Sequence, residues 1–526
     1  MNNSINKSAP HPLQILFIIL LAIFLITQAI FSLQWPLTHD EAPLFYEAFL
    51  MQNGKIPYKD FFDFQMPGSY IVYYLLGVIS NFGPLRIRIL DLLILITIIF
   101  TAYQALKKFG HIPAFTAGIL FALQYISGGP SLSLQREYLI LIFLSSAIFI
   151  SLQDSLSNNH RLILGFLFGL AASIKPHAAI GLIPIILFDI FPLRDSSWLK
   201  KIFYYSIGFL IPILFIILWL TSTNALTPFL DIALNYWSLY SQINGELVIV
   251  SSAERLSYIL NLVWRFGGHG LWLIPAAFAM YLNRNKKTYL LASLALCYAI
   301  YPAFTGQFFA YHYILFLYFI IILASLSISS SKSQVSGLKS QVSGLKSQVS
   351  GLKSQVSSLK SPISNYASLF FFIVLLFSIK PSQTFLRQLN NQPIVTSSDR
   401  AIEIAKFLEQ NIEDGDVVQP LDWTGGTLLA MLQTRTPIAT NYVFDFYFYH
   451  HISNPYIQNL RNDFMNQLIK SRPRFIIEVT SADKPWVGGD DTTRVKFPEL
   501  QTFLDENYSI TIQKDDYIIY ELDNRP

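Results

Sequence analysis

Charged residues are scarce in this chain, and their scarcity argues against an ordinary water-soluble protein. Asp, Glu, Lys and Arg make up 13% of the 526 residues, whereas hydrophobic residues make up 52%. Soluble globular domains carry roughly 25% charged residues. The mean hydropathy of +0.42 points the same way. We therefore interpret the chain as an integral membrane protein, with membrane lipid as one of its partners.

Cysteine is also rare, and the chain has no large excess of charge of one sign. The single Cys297 lies in an apolar run, which excludes an intramolecular disulfide framework and a cysteine metal site. The net charge of +4 is small and dispersed, so no nucleic acid partner is expected. His450 and His451 have no acid or cysteine at ligand spacing, so no metal is predicted there. Whether a divalent cation assists elsewhere is left open.

Long apolar runs are what the sequence has in abundance. The run from about Leu13 to Leu33 is longer than a signal-peptide core and lacks a small-residue cleavage site, so we interpret it as a retained first span. Later runs, including Pro84 to Leu106, predict about eleven spans. Basic clusters fall on one side of these spans, which places the N-terminus inside and the C-terminus outside.

The chain divides into four predicted segments. These are a transmembrane domain over residues 1–331, a low-complexity cytoplasmic linker over 332–361, a last transmembrane helix over 362–380 and an extracytoplasmic α/β domain over 381–526. The linker consists of four heptads of the type Ser-Gln-Val-Ser-Gly-Leu-Lys. Each heptad offers only Val and Leu to an interface, and its Gly and Ser disfavour helix, so we predict a flexible segment and not a zipper.

The last segment has the composition of a soluble domain. A helical pattern covers Arg400 to Gln410, and strand-like runs cover Asp416 to Leu421 and Pro473 to Val479. Tyr508 to Leu522 is typical of a hairpin. This order of helices and strands predicts a small α/β unit.

Two adjacent acids, Asp40 and Glu41, follow the first predicted span. Acids are costly in lipid, so we expect both in water or in a cleft at the membrane surface. The predicted topology brings further polar groups to the same face, namely Arg136-Glu137, Lys175-Pro176-His177 and Tyr311-His312. Acids beside cations suit a reaction in which a hydroxyl or amine loses a proton while a phosphate leaves.

Simpler interpretations of the same residues stay open. Asp40 and Glu41 also suit a helix N-terminus, where the macrodipole favours acids. Arg136 and Glu137 also fit an interfacial ion pair, and Tyr311-His312 fits an aromatic belt with a hydrogen-bonded histidine.

The order of these motifs resembles a known family. The resembling segments are Trp35 to Glu41, Tyr46-Glu47-Ala48, Asn53 to Tyr58, Met66 to Tyr70, Gln135 to Tyr138, Lys175-Pro176 and Tyr311-His312-Tyr313. Together they look like the membrane glycosyltransferases of the GT-C class. Within that class they are most similar to the protein mannosyltransferase and aminoarabinose transferase group, glycosyltransferase family 39. The resemblance covers roughly residues 10 to 330.

The resemblance implies a GT-C-like polytopic α-helical membrane protein. It also implies inverting transfer of a hexose or pentose from a polyprenyl-phosphate donor to a lipid, glycan or protein acceptor, at the outer face of the cytoplasmic membrane. The implied catalytic residues are Asp40 as general base, Glu41 as an orienting or hydrogen-bonding acid, and Glu137 as a second acid. The implied substrate-binding residues are His39, Tyr58, Lys59, Arg136, Lys175, His177 and His312, with Arg136 and Lys175 on the donor phosphate.

The chain departs from the family pattern at the end of the first loop. Family members often carry a lysine before the proline there, whereas this chain has Gln65-Met66-Pro67. Lys59, Arg136 and Lys175 are the candidates to replace that cation. The second acid, frequently an Asp in the family, is Glu137 here.

Two other functions fit the membrane composition. A surface-glycan polymerase or ligase would place key residues in one large loop, and the loop at 222–265 is long enough. A non-enzymatic lipid or sugar transporter would show charged residues within spans and repeated halves. Asp91 is the only such charge noted and no internal symmetry is visible, which counts against a transporter.

Overall fold

The computed structural model describes residues 12–38, 40–191, 197–245, 252–255, 268–306, 308–328, 366–392, 394, 396–481, 487–488 and 491–523. The predicted linker at 332–361 lies outside these residues, and so does the predicted binding residue His39. Both stay predictions from the sequence.

Helices make up nearly all of the described chain up to residue 328. They are α1 (Pro12–Ser32), α2 (Glu41–Gln52), α3 (Pro67–Ser80), α4 (Pro84–Leu106), α5 (His111–Ser127), α6 (Arg136–Ser151), α7 (Asn158–Ile174), α8 (Leu182–Ile190), α9 (Trp198–Ser222), α10 (Leu226–Asp231), α11 (Trp237–Tyr240), α12 (Leu273–Leu282), α13 (Lys286–Thr305) and α14 (Ile314–Ser325). A short strand, β1, covers Asn244–Gly245. The predicted mostly helical architecture is therefore confirmed.

Four helical segments within the described residues are long and apolar enough to cross a membrane: Ile15–Ser32, Pro84–Phe109, Trp198–Ser222 and Ala310–Ile328. The pair α15 (Tyr366–Ser378) and α16 (Gln383–Leu389), bent by 57° at a short break, makes a fifth candidate. Shorter apolar helices cover Pro67–Ser80, His111–Ser127, Pro176–Ile190 and Gly270–Leu282. These segments number nine at most, so the predicted count of eleven spans also needs other helices, such as α6, α7 and α13, to cross. The count stays a prediction.

The helix α3 is short because it lies between a proline and a left-handed turn. Pro67 occupies its first turn, where a missing N–H costs nothing. Asn81 ends it with φ of 47°. Its 14 residues reach only about 21 Å at roughly 1.5 Å per residue, and Ile79 on it is 67% exposed. These features agree with the interfacial helix that the sequence predicts for this segment.

Glycines let α7 and α9 pack with their backbones in contact. A Cβ added to Gly165 or Gly169 of α7 would overlap backbone atoms of α9, and one added to Gly208 of α9 would overlap α7. Small residues spaced by four permit this close approach between membrane helices. The contact fixes the end of α7, from which Lys175 extends.

The C-terminal residues form an α/β unit. Its helices are α17 (Thr396–Asn411), α18 (Thr427–Thr434), α19 (Pro455–Ser471) and α20 (Pro498–Asn507). Its strands are β2 (Val418–Leu421), β3 (Phe475–Val479), β4 (Val487–Gly488), β5 (Tyr508–Gln513) and β6 (Tyr517–Leu522). One sheet has the order β2-β3-β6-β5, in which only β2 and β3 run parallel. Phe407 of α17 packs edge-on against Phe475 of β3 at 4.9 Å between ring centroids.

This unit contacts the helical domain at α2 and at the loop after it. The Phe62 amide donates to the Asn441 carbonyl at 2.7 Å, and the Tyr46 hydroxyl of α2 donates to the Thr436 carbonyl at 2.8 Å. Both hydrogen bonds are accepted by backbone carbonyls of the C-terminal unit, so they fix the position of its backbone relative to α2. The site described next lies along this junction.

Candidate active site

A cavity of about 640 Å³ opens between the helical domain and the C-terminal unit. Its wall comes from the start of α2, the segment 63–66, the start of α6, the residues after α7 and a loop of the C-terminal unit. The charged and polar residues on that wall include Asp40, Asp63, Gln65, Arg136, Lys175 and His177. Four of these six side chains belong to the set that the sequence predicts.

Asp40 pairs with Arg136 on this wall. Asp40 directly precedes α2, and Arg136 is the first residue of α6. The Nη2 of Arg136 donates to the Oδ2 of Asp40 at 3.0 Å. The aspartate side chain is 29% exposed and that of the arginine 9%. The acid is thus paired with a cation and still reachable from the cavity.

Gln65 occupies the position where the resemblance leads us to expect a lysine. Its side-chain carbonyl accepts a hydrogen bond from the Nη1 of Arg136. A lysine at this position would set two cations side by side, whereas the neutral amide orients the guanidinium toward Asp40. The departure from the family pattern therefore has a structural counterpart, since Arg136 brings a cation to the side chain of Gln65.

Lys175 reaches the cavity because of the proline that follows it. A residue before proline is driven into extended backbone, and Lys175 has φ of −145° and ψ of 114° at the end of α7. Its ammonium donates to the Oε1 of Glu137 and lies 3.1 Å from the Nε2 of His312.

Glu137 and His312 stand behind Lys175. Both are fully buried, with 0% side-chain exposure, and His312 Nε2 lies 3.4 Å from Glu137 Oε1. Neither is part of the cavity wall. The structure therefore places these two predicted site residues where they hold the lysine, without reaching a substrate in the cavity.

Glu41 points away from its neighbour Asp40. It forms a two-pronged pair with Arg88 of α4, with distances of 2.6 Å and 2.7 Å, and accepts from the Thr38 amide at 3.2 Å. Burial raises the pKa of Glu41, and the guanidinium of Arg88 opposes that rise. Glu41 does not line the cavity, so of its two expected roles only the orienting one has a structural counterpart.

Two of the remaining predicted binding residues lie close to the cavity. His177 is on the wall and stacks on Phe304 with 5.8 Å between ring centroids. Tyr58 is buried beneath the wall, with a left-handed φ of 69°, and its hydroxyl donates to the Gln65 carbonyl at 2.6 Å. Tyr58 supports the segment that carries Gln65.

Lys59 is exposed and does not line the cavity. Of the three cations proposed to replace the missing lysine, Arg136 and Lys175 are at the cavity and Lys59 is not.

Two residues at or near the site, Asp63 on the wall and Arg88 behind it, are not among those that the sequence predicts. Asp63 is fully buried, lines the cavity and accepts hydrogen bonds from two tyrosines. The only signal in the sequence is an acid within an aromatic segment just before Gln65. Arg88, the partner of Glu41, had a stronger signal, because a cation inside a predicted span marks a specific pairing.

The C-terminal unit supplies an aromatic part of the wall, Trp423 and Phe444. The loop that carries Trp423 is fixed by Asp422, whose carboxylate accepts backbone N–H bonds from Trp423, Gly425 and Thr427 at 2.6 to 3.0 Å. Trp423 stacks on the ring of Phe446 with 4.2 Å between centroids. This wall is therefore preformed.

An apolar groove meets the cavity at Ile174. The groove has a volume of about 310 Å³ and lies among side chains of α3, α6, α7 and α9, such as Ile71, Phe143, Phe166 and Ile211. Ile174 lines both the groove and the cavity. A ligand with a polar head and an apolar chain fits this arrangement, with the head next to Lys175.

Within the described residues, no group of three or more His, Cys, Asp or Glu side chains is arranged to hold a metal ion. His450 is buried in the C-terminal unit, where its Nε2 lies 2.9 Å from the Tyr236 hydroxyl. Burial lowers the pKa of His450 to about 3.

Comparison with known proteins supports the resemblance read from the motifs. Residues 67–219 match the family model described as dolichyl-phosphate-mannose-protein mannosyltransferase. The structure is similar to two crystal structures of ArnT from Cupriavidus metallidurans, one bound to undecaprenyl phosphate and one in the apo state. Each superposes with a TM-score of 0.58 at 12% and 11% identity, over 96% of this chain and 97% of that chain. No curated protein matches the sequence. The chain therefore shares the ArnT fold, and the predicted GT-C class is confirmed.

Proposed function

We propose that this chain is an inverting glycosyltransferase that moves a hexose or pentose from a polyprenyl-phosphate donor to a lipid, glycan or protein acceptor. One observation carries the proposal. Asp40, Arg136 and Lys175 come from three separate parts of the sequence and meet on the wall of one cavity. The fold shared with ArnT and the mannosyltransferase family model support the same chemistry.

Asp40 is the base in this proposal. Its ionised carboxylate takes the proton of an acceptor hydroxyl or amine, and the freed electron pair attacks the anomeric carbon of the donor sugar. The bond from that carbon to the phosphate oxygen breaks, and its electrons leave with the phosphate. Attack from the side opposite the phosphate inverts the configuration at this carbon.

Arg136 and Lys175 stabilise the leaving phosphate. Before reaction each cation is paired with an acid, Arg136 with Asp40 and Lys175 with Glu137. When Asp40 takes the proton it loses its charge, so its hold on Arg136 weakens as the phosphate gains negative charge. The planar guanidinium suits two phosphate oxygens, and a cation placed where charge develops contributes to the rate.

The donor lipid is assigned to the apolar groove. A prenyl chain among α3, α7 and α9 would bring its phosphate to Ile174 and Lys175, where the groove joins the cavity. The aromatic wall of the C-terminal unit then faces the sugar or the acceptor. In this arrangement α15, within the predicted segment at 362–380, is the last transmembrane helix before that unit.

The proposal also sets the orientation. The cavity and the unit at 381–526 lie on the extracytoplasmic side of the cytoplasmic membrane, and the N-terminus lies inside. Reporter fusions after Lys108 and Ser340 are expected to be cytoplasmic, and a fusion at Pro526 extracytoplasmic. A cytoplasmic C-terminus would contradict this orientation.

The experiment that tests the function is lipid analysis of a deletion strain of the native host. We expect a polyprenyl-phosphate-linked sugar to accumulate in the deletion strain and to return to its normal level with the wild-type gene. In the deletion strain, a gene that encodes Asp40→Asn should not reduce the accumulated lipid-linked sugar. A gene that encodes Asp414→Asn, the same change at an exposed acid, should return it to the normal level. Normal lipid-linked sugars in the deletion strain would refute the proposed function.

A further inference from the structure

Two buried carboxyl groups, Glu47 and Asp63, are neighbours at the base of the cavity and are not used by the reaction proposed above. Glu47 is on α2, and Asp63 is in the loop that follows and lines the cavity. Both have 0% exposure, and Asp63 is the neighbouring acid that acts most strongly on Glu47. Two ionised carboxylates side by side in a buried site repel each other and lose their hydration, so the arrangement needs an explanation.

The hydrogen bonds distinguish the two acids. Asp63 accepts from the Tyr70 hydroxyl at 2.8 Å and from the Tyr447 hydroxyl at 3.1 Å. Neither oxygen of Glu47 has a donor among the described residues. The surroundings of Asp63 therefore suit a carboxylate, whereas no described residue donates a hydrogen bond to Glu47.

A neutral Glu47 removes both difficulties, because its hydroxyl becomes a donor and the Asp63 carboxylate is an acceptor beside it. Burial and the neighbouring Asp63 raise the pKa of Glu47 well above its usual range. Burial also raises the pKa of Asp63, but the Phe64 amide and the two tyrosines oppose that rise. These contacts favour Glu47 over Asp63 as the protonated member of the pair. The other titratable groups that face the pair are Asp40, Arg136, Tyr58, Tyr70, Tyr236 and Tyr447.

The pair lies at the base of the segment that aims Arg136. Asp63 precedes Gln65 by two positions, and the Gln65 side chain accepts from the guanidinium that pairs with Asp40. Tyr447 extends this chain of contacts to the C-terminal unit. Moving Asp63 would therefore displace Gln65 and, through it, the cation of the reaction.

We propose that Glu47 is a neutral acid that donates a hydrogen bond to the Asp63 carboxylate, and that this pair positions Gln65 and Arg136 at the cavity. Glu47 is a positioning residue, since it does not line the cavity. The positioning role rests on the proposed function, whereas the protonation state of Glu47 does not. The two parts are therefore tested by separate measurements.

Infrared difference spectroscopy on the purified full-length protein tests the protonation state. At neutral pH, Glu47→Gln should remove one carbonyl band of a protonated carboxylic acid. Asp63→Asn should keep that band, shifted in frequency because the hydrogen-bond acceptor has changed. Glu409→Gln, at an exposed helix position, should leave the spectrum unchanged. A band that survives in Glu47→Gln and disappears in Asp63→Asn would place the proton on Asp63 and overturn the assignment.

Thermal unfolding against pH gives an independent check. An acid whose pKa is raised on folding binds its proton more tightly in the folded state, so its stability contribution is complete below the unfolded value of about 4.3 and is lost as pH rises toward the folded value. The melting temperature of wild type relative to Glu47→Gln should therefore fall steadily from pH 4 to alkaline pH. Equal pH dependence of the two proteins would contradict a neutral Glu47.

The pH profile of transfer activity tests the positioning role once a substrate is in hand. Wild-type activity is expected to decline as rising pH ionises Glu47. Glu47→Gln keeps a neutral donor beside Asp63, so it should retain activity and lack that decline. Glu47→Ala removes the donor and should lower activity at every pH. If Glu47→Gln is as inactive as Glu47→Ala while both proteins remain folded, the neutral-donor role is refuted.

Discussion

Two neighbouring acids in this molecule, Asp40 and Glu41, each pair with an arginine, and the two pairs differ in almost every other respect. Glu41 and Arg88 are sealed in the helical domain, with side-chain exposures of 2% and 1%. Asp40 and Arg136 are on the cavity wall, with exposures of 29% and 9%. Burial, and not residue type, separates a pair that holds the fold from a pair that is available for chemistry.

The difference arises at the start of α2. Consecutive residues of a helix point about 100° apart at 3.6 residues per turn, so adjacent acids at a helix start cannot face the same partner. Glu41 turns toward α4, where Arg88 also donates to the Trp35 carbonyl at 3.1 Å. The buried pair thereby fixes the segment before the helix and leaves Asp40 directed at the cavity.

The largest expected effect is on the exposed pair. Asp40→Asn removes the base and keeps the size of the side chain, so transfer should fall by roughly 10²- to 10⁴-fold. Membrane insertion and thermal stability should match wild type, because the residue is partly exposed. Accumulation of the lipid-linked sugar in complemented deletion cells measures the loss. Wild-type transfer by this variant would exclude Asp40 as the base.

The buried pair should respond in the opposite way. Arg88→Met leaves the Glu41 carboxylate buried without its cation, which costs about 3–5 kcal/mol and should reduce the yield of folded protein in size-exclusion chromatography. The double variant Arg88→Met with Glu41→Leu should recover much of that yield, since no charge is then left unpaired. An Arg88→Met protein that folds normally but fails in transfer would give this pair a direct part in the reaction.

A smaller effect is expected when Arg136 is replaced by a residue that keeps the positive charge but lacks the guanidinium group. Arg136→Lys retains a cation but not the fork that contacts Asp40 and Gln65 together. Loss of one charge-assisted hydrogen bond of about 1.5–3 kcal/mol corresponds to a decrease of roughly 10- to 100-fold in transfer. Initial rates with the accumulated lipid-linked sugar as donor measure it. Arg435→Lys, at an exposed arginine outside the cavity, is the matched control. Full activity of Arg136→Lys would mean that charge alone suffices.

The smallest effect is expected at Lys59, the exposed candidate for the missing cation. Lys59→Ala should change transfer by less than about twofold, because exposed charges contribute little and the side chain is outside the cavity wall. The same rate assay applies, with Lys175→Ala as the comparison that should lose most activity. A strong defect in Lys59→Ala would require a donor position away from the cavity described here.

The convergence of Asp40, Arg136 and Lys175 was accessible from the sequence because membrane spans restrict the chain to two sides. Counting spans is enough to bring distant polar segments to one face. The bounds of α4 coincide with the predicted Pro84 to Leu106. Both ends are marked in the sequence, because a proline begins the helix and a pair of lysines follows it.

What the sequence could not reveal depends on which side chains meet after folding. Nothing in the adjacent letters Asp40 and Glu41 indicates that one faces a cavity and the other an arginine of α4. The pairing of Glu47 with Asp63 depends on the path of an aromatic loop, and the tyrosine that completes it, Tyr447, comes from another unit of the chain. The sequence also could not reveal that Glu137 and His312 are buried behind Lys175, because topology predicts the side of a membrane and not the distance from a cavity.

The junction between the two units has a consequence for the timing of biosynthesis. Trp423, Phe444 and Tyr447 are all synthesised after the membrane helices, yet the first two complete the cavity wall and the third holds Asp63. A nascent chain whose helices are already inserted therefore carries Arg136 and Lys175, the cations proposed to bind the phosphate, without an enclosed site. Donor lipid is expected to bind during translation, and transfer to begin only after the C-terminal unit has folded onto α2.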